Sequence, residues 1–272
     1  MLTLQKSDDV ISFHVPIDRQ NIETLLAKEW LLTNGRGGYA SSTIVGCNTR
    51  AYHGLLIGSL QPPVNRIMAL SNCLERIVSK KETFTLSTFE FEDKLAAEGF
   101  QYLKEFRRDI GAHFDYVLPK TKLTRSVYLL RQTDTVAIVY DFTQVQEPVE
   151  FITRPFIGLR NFHSRQKSST PLCSVWLGSS ERGLVVRHDS PNNCSLLLRC
   201  PSARYEKDPQ WWFNFTYRIE KERGQDVTED LWTPGSFKCQ IDSSTRIVLW
   251  AHLNPSDAID DPGPETLEQT HR

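Results

Sequence analysis

Residues 135–142, TVAIVYDF, and 149–159, VEFITRPFIGL, decide the fold. Each is a short apolar run rich in β-branched and aromatic residues, shorter than a core helix and bounded by polar turn residues, as buried strands are. The signal repeats toward the N-terminus in KLTRSVYLL, HFDYVL, ETFTLSTFEF, RIMALSN, HGLLIGSL, STIVGC and EWLLTN, and toward the C-terminus in SVWLGS, GLVVRH, SLLLRC, WWFNFTYRI, FKCQI and RIVLWAHL. About fifteen strands result. Turn-forming pieces separate them at Asn34-Gly35, Asp109-Ile110-Gly111, Ser190-Pro191-Asn192-Asn193 and Pro234-Gly235. Helical patterns are confined to Asn21–Lys28 and Leu95–Gly99, so no βαβ alternation exists to build a parallel sheet. That many strands exceed what one twisted open sheet carries before it splits in two. The expectation is an all-β fold: a large antiparallel β-sandwich with few short helices.

The 272-residue chain balances 32 Lys plus Arg against 33 Asp plus Glu, a net charge of −1. No long basic stretch is interleaved with aromatics, which argues against a nucleic-acid groove and leaves a neutral, hydroxyl-rich ligand compatible. No apolar run approaches the length of a membrane span, and residues 1–13 lack a secretory pattern. A cytoplasmic setting with no membrane partner is expected. The cysteines Cys47, Cys73, Cys173, Cys194, Cys200 and Cys239 show neither CxxC nor metal-ligand spacing, so they read as reduced thiols, mostly core residues, and no metal or cofactor is expected.

Several motifs carry chemistry, each with a plainer alternative. Gly35-Arg36-Gly37-Gly38-Tyr39-Ala40 matches GxGxxA nominally, yet a β-branched strand follows where pyrophosphate binding needs a helix N-terminus, so the glycines read as a turn or bulge. Asn48, Arg50, Tyr52 and His53 crowd an amide, a guanidinium, a phenol and an imidazole into one interstrand loop. They could converge on sugar hydroxyls or merely satisfy a tight turn. Arg160 and His163 repeat that composition in a second polar loop, or form a solvated basic one.

In 211–218, WWFNFTYR, strand alternation turns Trp211, Phe213, Phe215 and Tyr217 inward and Trp212 outward, toward a partner domain or a sugar ring. Glu229 and Asp230 lie in what reads as an acidic loop. Glycosidases need two carboxylates flanking one bond, but neighbouring residues on a strand point to opposite faces, so capping or interdomain pairing is the simpler role.

Taken together, EWLLTNGRGGYASSTIVGCNTRAYHGLLIG, RPFIGLRNFHS and WWFNFTYRIEKERGQDVTEDLWTPGSF resemble the N-terminal domain of bacterial and archaeal glycogen debranching enzymes over residues 29–253. The order of these separated motifs makes the resemblance specific, although Trp232 stands where the family more often has Tyr or Phe. The resemblance implies an amylo-α-1,6-glucosidase, a glycoside hydrolase whose β-sandwich packs on a C-terminal barrel of paired helices holding the catalytic carboxylates. No catalytic residue therefore carries over to this chain. The expected partners are that helical-barrel domain and a branched α-glucan such as glycogen. The expected organisation is a leader over residues 1–28 packing on or preceding the sandwich, the sandwich over 29–253, and a linker with the start of a truncated helix over 254–272. Asn48, Arg50, Tyr52, His53, Arg160, His163, Trp212, Glu229 and Asp230 are the candidate substrate-binding or domain-interface residues. The rival from another class is a free-standing carbohydrate-binding module; a third is a fragment with no activity of its own.

Overall fold

The computed structural model describes residues 3–7, 10–92, 94–178, 183–189 and 192–254. The expected linker and helix start, from 255 onward, and Ser190-Pro191 of the expected turn lie outside the described residues. In chain order the elements are β1 (Thr3–Ser7), β2 (Val10–Pro16), α1 (Ile22–Leu26), β3 (Glu29–Thr33), β4 (Tyr39–Thr43), β5 (Gly54–Gln61), β6 (Val64–Val78), β7 (Thr83–Thr85), β8 (Phe89–Phe91), β9 (Lys94–Ala96) and β10 (Leu103–Arg108). There follow β11 (Ala112–Val117), β12 (Thr121–Leu129), β13 (Thr135–Val145), β14 (Val149–Asn161), β15 (Cys173–Trp176), β16 (Gly183–His188), β17 (Cys194–Arg199), β18 (Arg204–Thr216), α2 (Arg218–Glu222), β19 (Thr228–Ile241) and β20 (Thr245–Leu253).

The strands form two antiparallel sheets, as the sequence led us to expect. The first runs β1-β2-β10-β11-β12-β13-β20-β17-β16-β15, and the second β3-β4-β5-β6-β14-β19-β18-β8-β9, with β7 beside β6. The two decisive runs, β13 and β14, lie in different sheets and face each other. Tyr140 and Phe142 of β13 meet Phe151 of β14 with ring centroids 4.6 and 5.4 Å apart. Along β13, Val136, Ile138, Tyr140 and Phe142 enter this intersheet core, whereas Ala137 and Val139 join a smaller cluster on the sheet's other face, as period-two alternation requires. The second sheet likewise carries a cluster on its outer face, where Ile57, Met68, Phe89, Phe156, Phe215 and Leu231 pack.

Ahead of β3, β2 pairs with β10, placing Val15 opposite Phe106. Asn21 caps α1 by accepting from the Thr24 amide, and Leu25 and Leu26 are buried in the core. Among the described residues no helix is long and apolar enough to cross a membrane.

Four local expectations are corrected. Leu95–Gly99 is not helical: Leu95 belongs to β9, which pairs with β8, and a single 3-10 turn covers Gly99–Gln101. Arg218 and Ile219 leave the predicted strand and begin α2, whose Ile219 amide bonds to the Thr49 carbonyl. Pro234-Gly235 lies inside the long strand β19 rather than at a turn. There Gly235 takes φ 144, and a Cβ would stand 2.2 Å from the Glu206 carbonyl oxygen, so only glycine lets β18 close on β19.

The fourth concerns β18. The ladder with β19 slips between Trp212 and Phe215, and Asn214 adopts φ 61. This bulge breaks the alternation: Tyr217 is buried and Trp211 half-buried against the core, but Phe215, expected inward with them, is buried in the outer cluster, and Phe213 is 56% exposed. Trp212 does lie on the outer side, half-buried in the same cluster as Phe215, its ring 5.2 Å from that of Phe156.

Candidate functional site

The candidate residues gather on the outer side of the second sheet, where the loops after β4 and β14 meet α2 and the start of β19. Glu229 and Asp230 are not in a loop: both lie in β19 and both are buried. Glu229 accepts from the Arg160 Nε and, at 2.9 Å, from its Nη2, and also from the Gln166 amide at 2.9 Å and the Tyr217 hydroxyl. Arg160 uses its remaining hydrogens on carbonyls, donating to Ala51 at 2.8 Å and to Asn161 and Phe162 at 3.2 Å each. Burial disfavours the Arg160 charge, but Glu229 beside it prevails and raises its pKa. Burial, with Glu229 adding to it, pushes the Tyr217 phenol well above its usual value.

Asp230 ties two further segments, accepting from the Ser168 and Asn214 amides at 3.1 Å each. The two carboxylates are thus committed to guanidinium, phenol and amide donors, and the arrangement offers no acid–base pair to a glycosidic bond. Together they fix the loop after β14 and the bulge of β18.

The loop after β4 is held from several sides. The Glu29 carboxylate at the head of β3 accepts from Arg50 Nε at 2.6 Å and faces His53 Nε2 at 3.5 Å, while His53 Nδ1 accepts from the Thr49 amide at 3.2 Å. The His53 imidazole and the Arg50 guanidinium hold the Glu29 carboxyl down at about 2. His53 is buried, and burial lowers its pKa in turn. Fully buried Glu220 of α2 accepts from the Ala51 amide at 3.2 Å and from Arg223 at 3.3 Å, with Arg165 at 3.9 Å. Asn48 turns away from this group, bonding Ser42 at 2.8 Å and the Ser71 carbonyl at 3.1 Å.

What faces solvent above this network is a pair contributed by both loops. The Tyr52 hydroxyl meets His163 Nδ1 at 3.1 Å; Tyr52 is half-buried and His163 exposed. Phe162 lies edge-on to Tyr52 with ring centroids 5.5 Å apart. Tyr39, whose phenol burial pushes up to about 12, donates to the Tyr52 carbonyl at 2.9 Å. The structure therefore unites Arg50, Tyr52, His53, Arg160, His163, Glu229 and Asp230, and sets Asn48 and Trp212 to the side. Sequence reasoning missed Glu29, Glu220 and Gln166, which have no local motif and acquire roles only through contacts between distant strands.

One comparison with known proteins agrees with the resemblance. The sequence profile described as glycogen debranching enzyme N terminal matches residues 28–248. No curated protein matches the sequence. Among solved structures, a protein assigned as a kojibiose phosphorylase from the human microbiome is 10% identical, at TM-score 0.43 over 98% of this chain and 34% of its own. The chain thus spans about a third of that protein's length. A protein assigned as an aldose 1-epimerase from Escherichia coli K12 is 9% identical at TM-score 0.43, over 83% of this chain and 98% of its own. The profile takes in both polar loops, the β18 bulge and the paired carboxylates at the start of β19, and the chain belongs to the glycogen debranching enzyme N-terminal family.

Proposed function

We propose that this chain is the non-catalytic β-sandwich domain of an α-1,6-glucosidase acting on a branched α-glucan such as glycogen. It supports a helical-barrel catalytic domain, and its face around Tyr52 and His163 lines part of the glucan cleft. The observation that carries this reading is the contrast between the buried carboxylates, all committed to protein donors, and the polar, aromatic pair exposed above them. Clefts at domain interfaces favour such rigidly backed polar groups. The six cysteines, all free thiols, support a reducing, cytoplasmic setting.

The test has two parts. The chain alone should release no glucose from a branched limit dextrin; turnover abolished by Glu229→Gln would overturn the non-catalytic reading. Joined to its barrel, it should support turnover, and Tyr52→Phe should raise KM more than it lowers kcat, as expected of uniform substrate binding.

A further inference from the structure

We propose that Tyr52 and His163 form a sugar-contacting pair that takes two neighbouring ring hydroxyls of one glucosyl unit. This rests on the glucan reading above and narrows it from a face to two side chains.

The hydrogen-bonding capacity of the pair fits such a ligand. With the Tyr52 hydroxyl and His163 Nδ1 at 3.1 Å, either tautomer of the imidazole leaves the pair one acceptor and one donor: the phenol oxygen with Nε2–H when the phenol donates, or Nε2 with the phenol O–H when Nδ1–H donates. A diol on adjacent ring carbons has matched spacing and can both donate and accept. Phe162, half-buried, supplies an apolar flank: its ring centroid is 4.0 Å from that of His163 and 5.5 Å from that of Tyr52. Aromatic edges and faces of this kind suit the C–H surface of a sugar.

Charge selects the ligand class. Two of the guanidinium groups nearby are paired with carboxylates, Arg50 with Glu29 and Arg160 with Glu229; Arg165 lies 3.9 Å from Glu220 and donates to the His163 and Ser164 carbonyls with its Nε left over, and Arg66 donates to the Gly37 carbonyl. At Arg50 and Arg160 a phosphate or carboxylate would have to compete with a carboxylate already in place, whereas a neutral polyol uses only what the pair leaves open.

Arg160 is the positioning residue. Its guanidinium grips the Ala51 carbonyl, directly before Tyr52, and the Phe162 carbonyl, directly before His163, so one buried group sets the separation of two side chains 111 residues apart. A planar fork with five donors can do this, and a lysine ammonium cannot hold the same carbonyls in the same geometry.

The experiment is a maltohexaose titration of this chain followed by NMR of the histidine imidazoles. The His163 signals should shift saturably. Tyr52→Phe and His163→Gln should each weaken binding about three- to tenfold, the effect of one neutral hydrogen bond, without moving the thermal midpoint. Arg160→Lys should displace the His163 signals before any sugar is added, a change that lost stability alone does not produce. Saturable binding that leaves His163 unmoved and is unaffected by both variants overturns the pair and leaves the glucan reading standing. No saturable shift anywhere at tens of millimolar sugar overturns the pair, and the glucan reading then stands or falls on the KM of Tyr52→Phe in the protein joined to its barrel.

Discussion

Two buried Glu–Arg–Tyr groups use the same chemistry at different places, and the contrast separates scaffold from site. Between the sheets, Glu75 of β6 accepts from Arg125 of β12 at 2.8 Å and from Tyr140 of β13 at 3.0 Å, so the group struts one sheet against the other. On the outer side, Glu229, Arg160 and Tyr217 form the corresponding group beneath a solvent-facing loop pair. Arg125 lies over the Phe114 ring and leaves its Nη2 without a partner, whereas Arg160 bonds a carboxylate and three loop carbonyls. A strut needs only closure across the gap. A positioning group needs every donor used, because each bond fixes another stretch of chain.

The largest expected effect treats the two groups alike. Glu75→Ala and Glu229→Ala should each cost about 3–5 kcal/mol in chemical unfolding, since each leaves a buried guanidinium uncompensated. Replacing both partners by methionine should then divide them. Glu75→Met with Arg125→Met should recover most of the loss, as buried ion pairs often yield to apolar residues of similar volume. Glu229→Met with Arg160→Met should recover clearly less, because the Ala51, Asn161 and Phe162 carbonyls and the Gln166 amide lose their partners too. Equal recovery would break the comparison. A smaller effect sharpens it: Tyr140→Phe and Tyr217→Phe each remove a hydrogen bond to a charged group, worth about 1.5–3 kcal/mol. Only Tyr217→Phe should also move the His163 imidazole signals.

Acid separates the two regions as well, because Glu29 and His53 stand beside the loop pair. Glu29, held at about 2 against a reference 4.5, contributes stability that is fully present above pH 4.5 and lost as pH falls toward 2. His53, lowered from 6.5 by burial, adds stability present above pH 6.5 that declines as pH falls below it. Urea midpoints measured against pH should show both declines. Glu29→Gln should abolish the lower one and keep the upper.

How much of this was legible in the sequence differs by element. The runs that became β13 and β14 announce themselves: burial on both faces leaves β13 a nearly unbroken apolar signature, and β14 reads as alternation in its first half and as a buried run in its second. The two polar loops were legible as composition, and Arg160, Glu229 and His53 were among the residues singled out from it. Their roles were not legible. Arg160 and Glu229 are 69 residues apart, and Arg160 and the Ala51 carbonyl 109, so only the sheet order brings them together. The β18 bulge was also hidden: the Asp230 carboxylate that accepts from the Asn214 amide at the bulge lies on another strand.

That bulge supplies the smallest and sharpest test of register. Unbroken alternation makes Phe213 and Phe215 equivalent core residues, so truncating either would cost about 3–5 kcal/mol. With Asn214 at φ 61 and the ladder slipped between Trp212 and Phe215, the two rings part: Phe213 is 56% exposed, while Phe215 packs among Phe89, Phe91 and Phe156 at centroid distances of 5.6, 4.6 and 5.2 Å. Phe215→Ala should therefore keep the full core penalty, and Phe213→Ala should change stability by no more than about 0.5 kcal/mol, as surface substitutions do. Asn214→Ala lies between them, since alanine tolerates the left-handed backbone poorly and should cost on the order of 1 kcal/mol. Equal penalties at positions 213 and 215 would restore the unbroken strand, and with it would go the claim that Asp230 shapes this face.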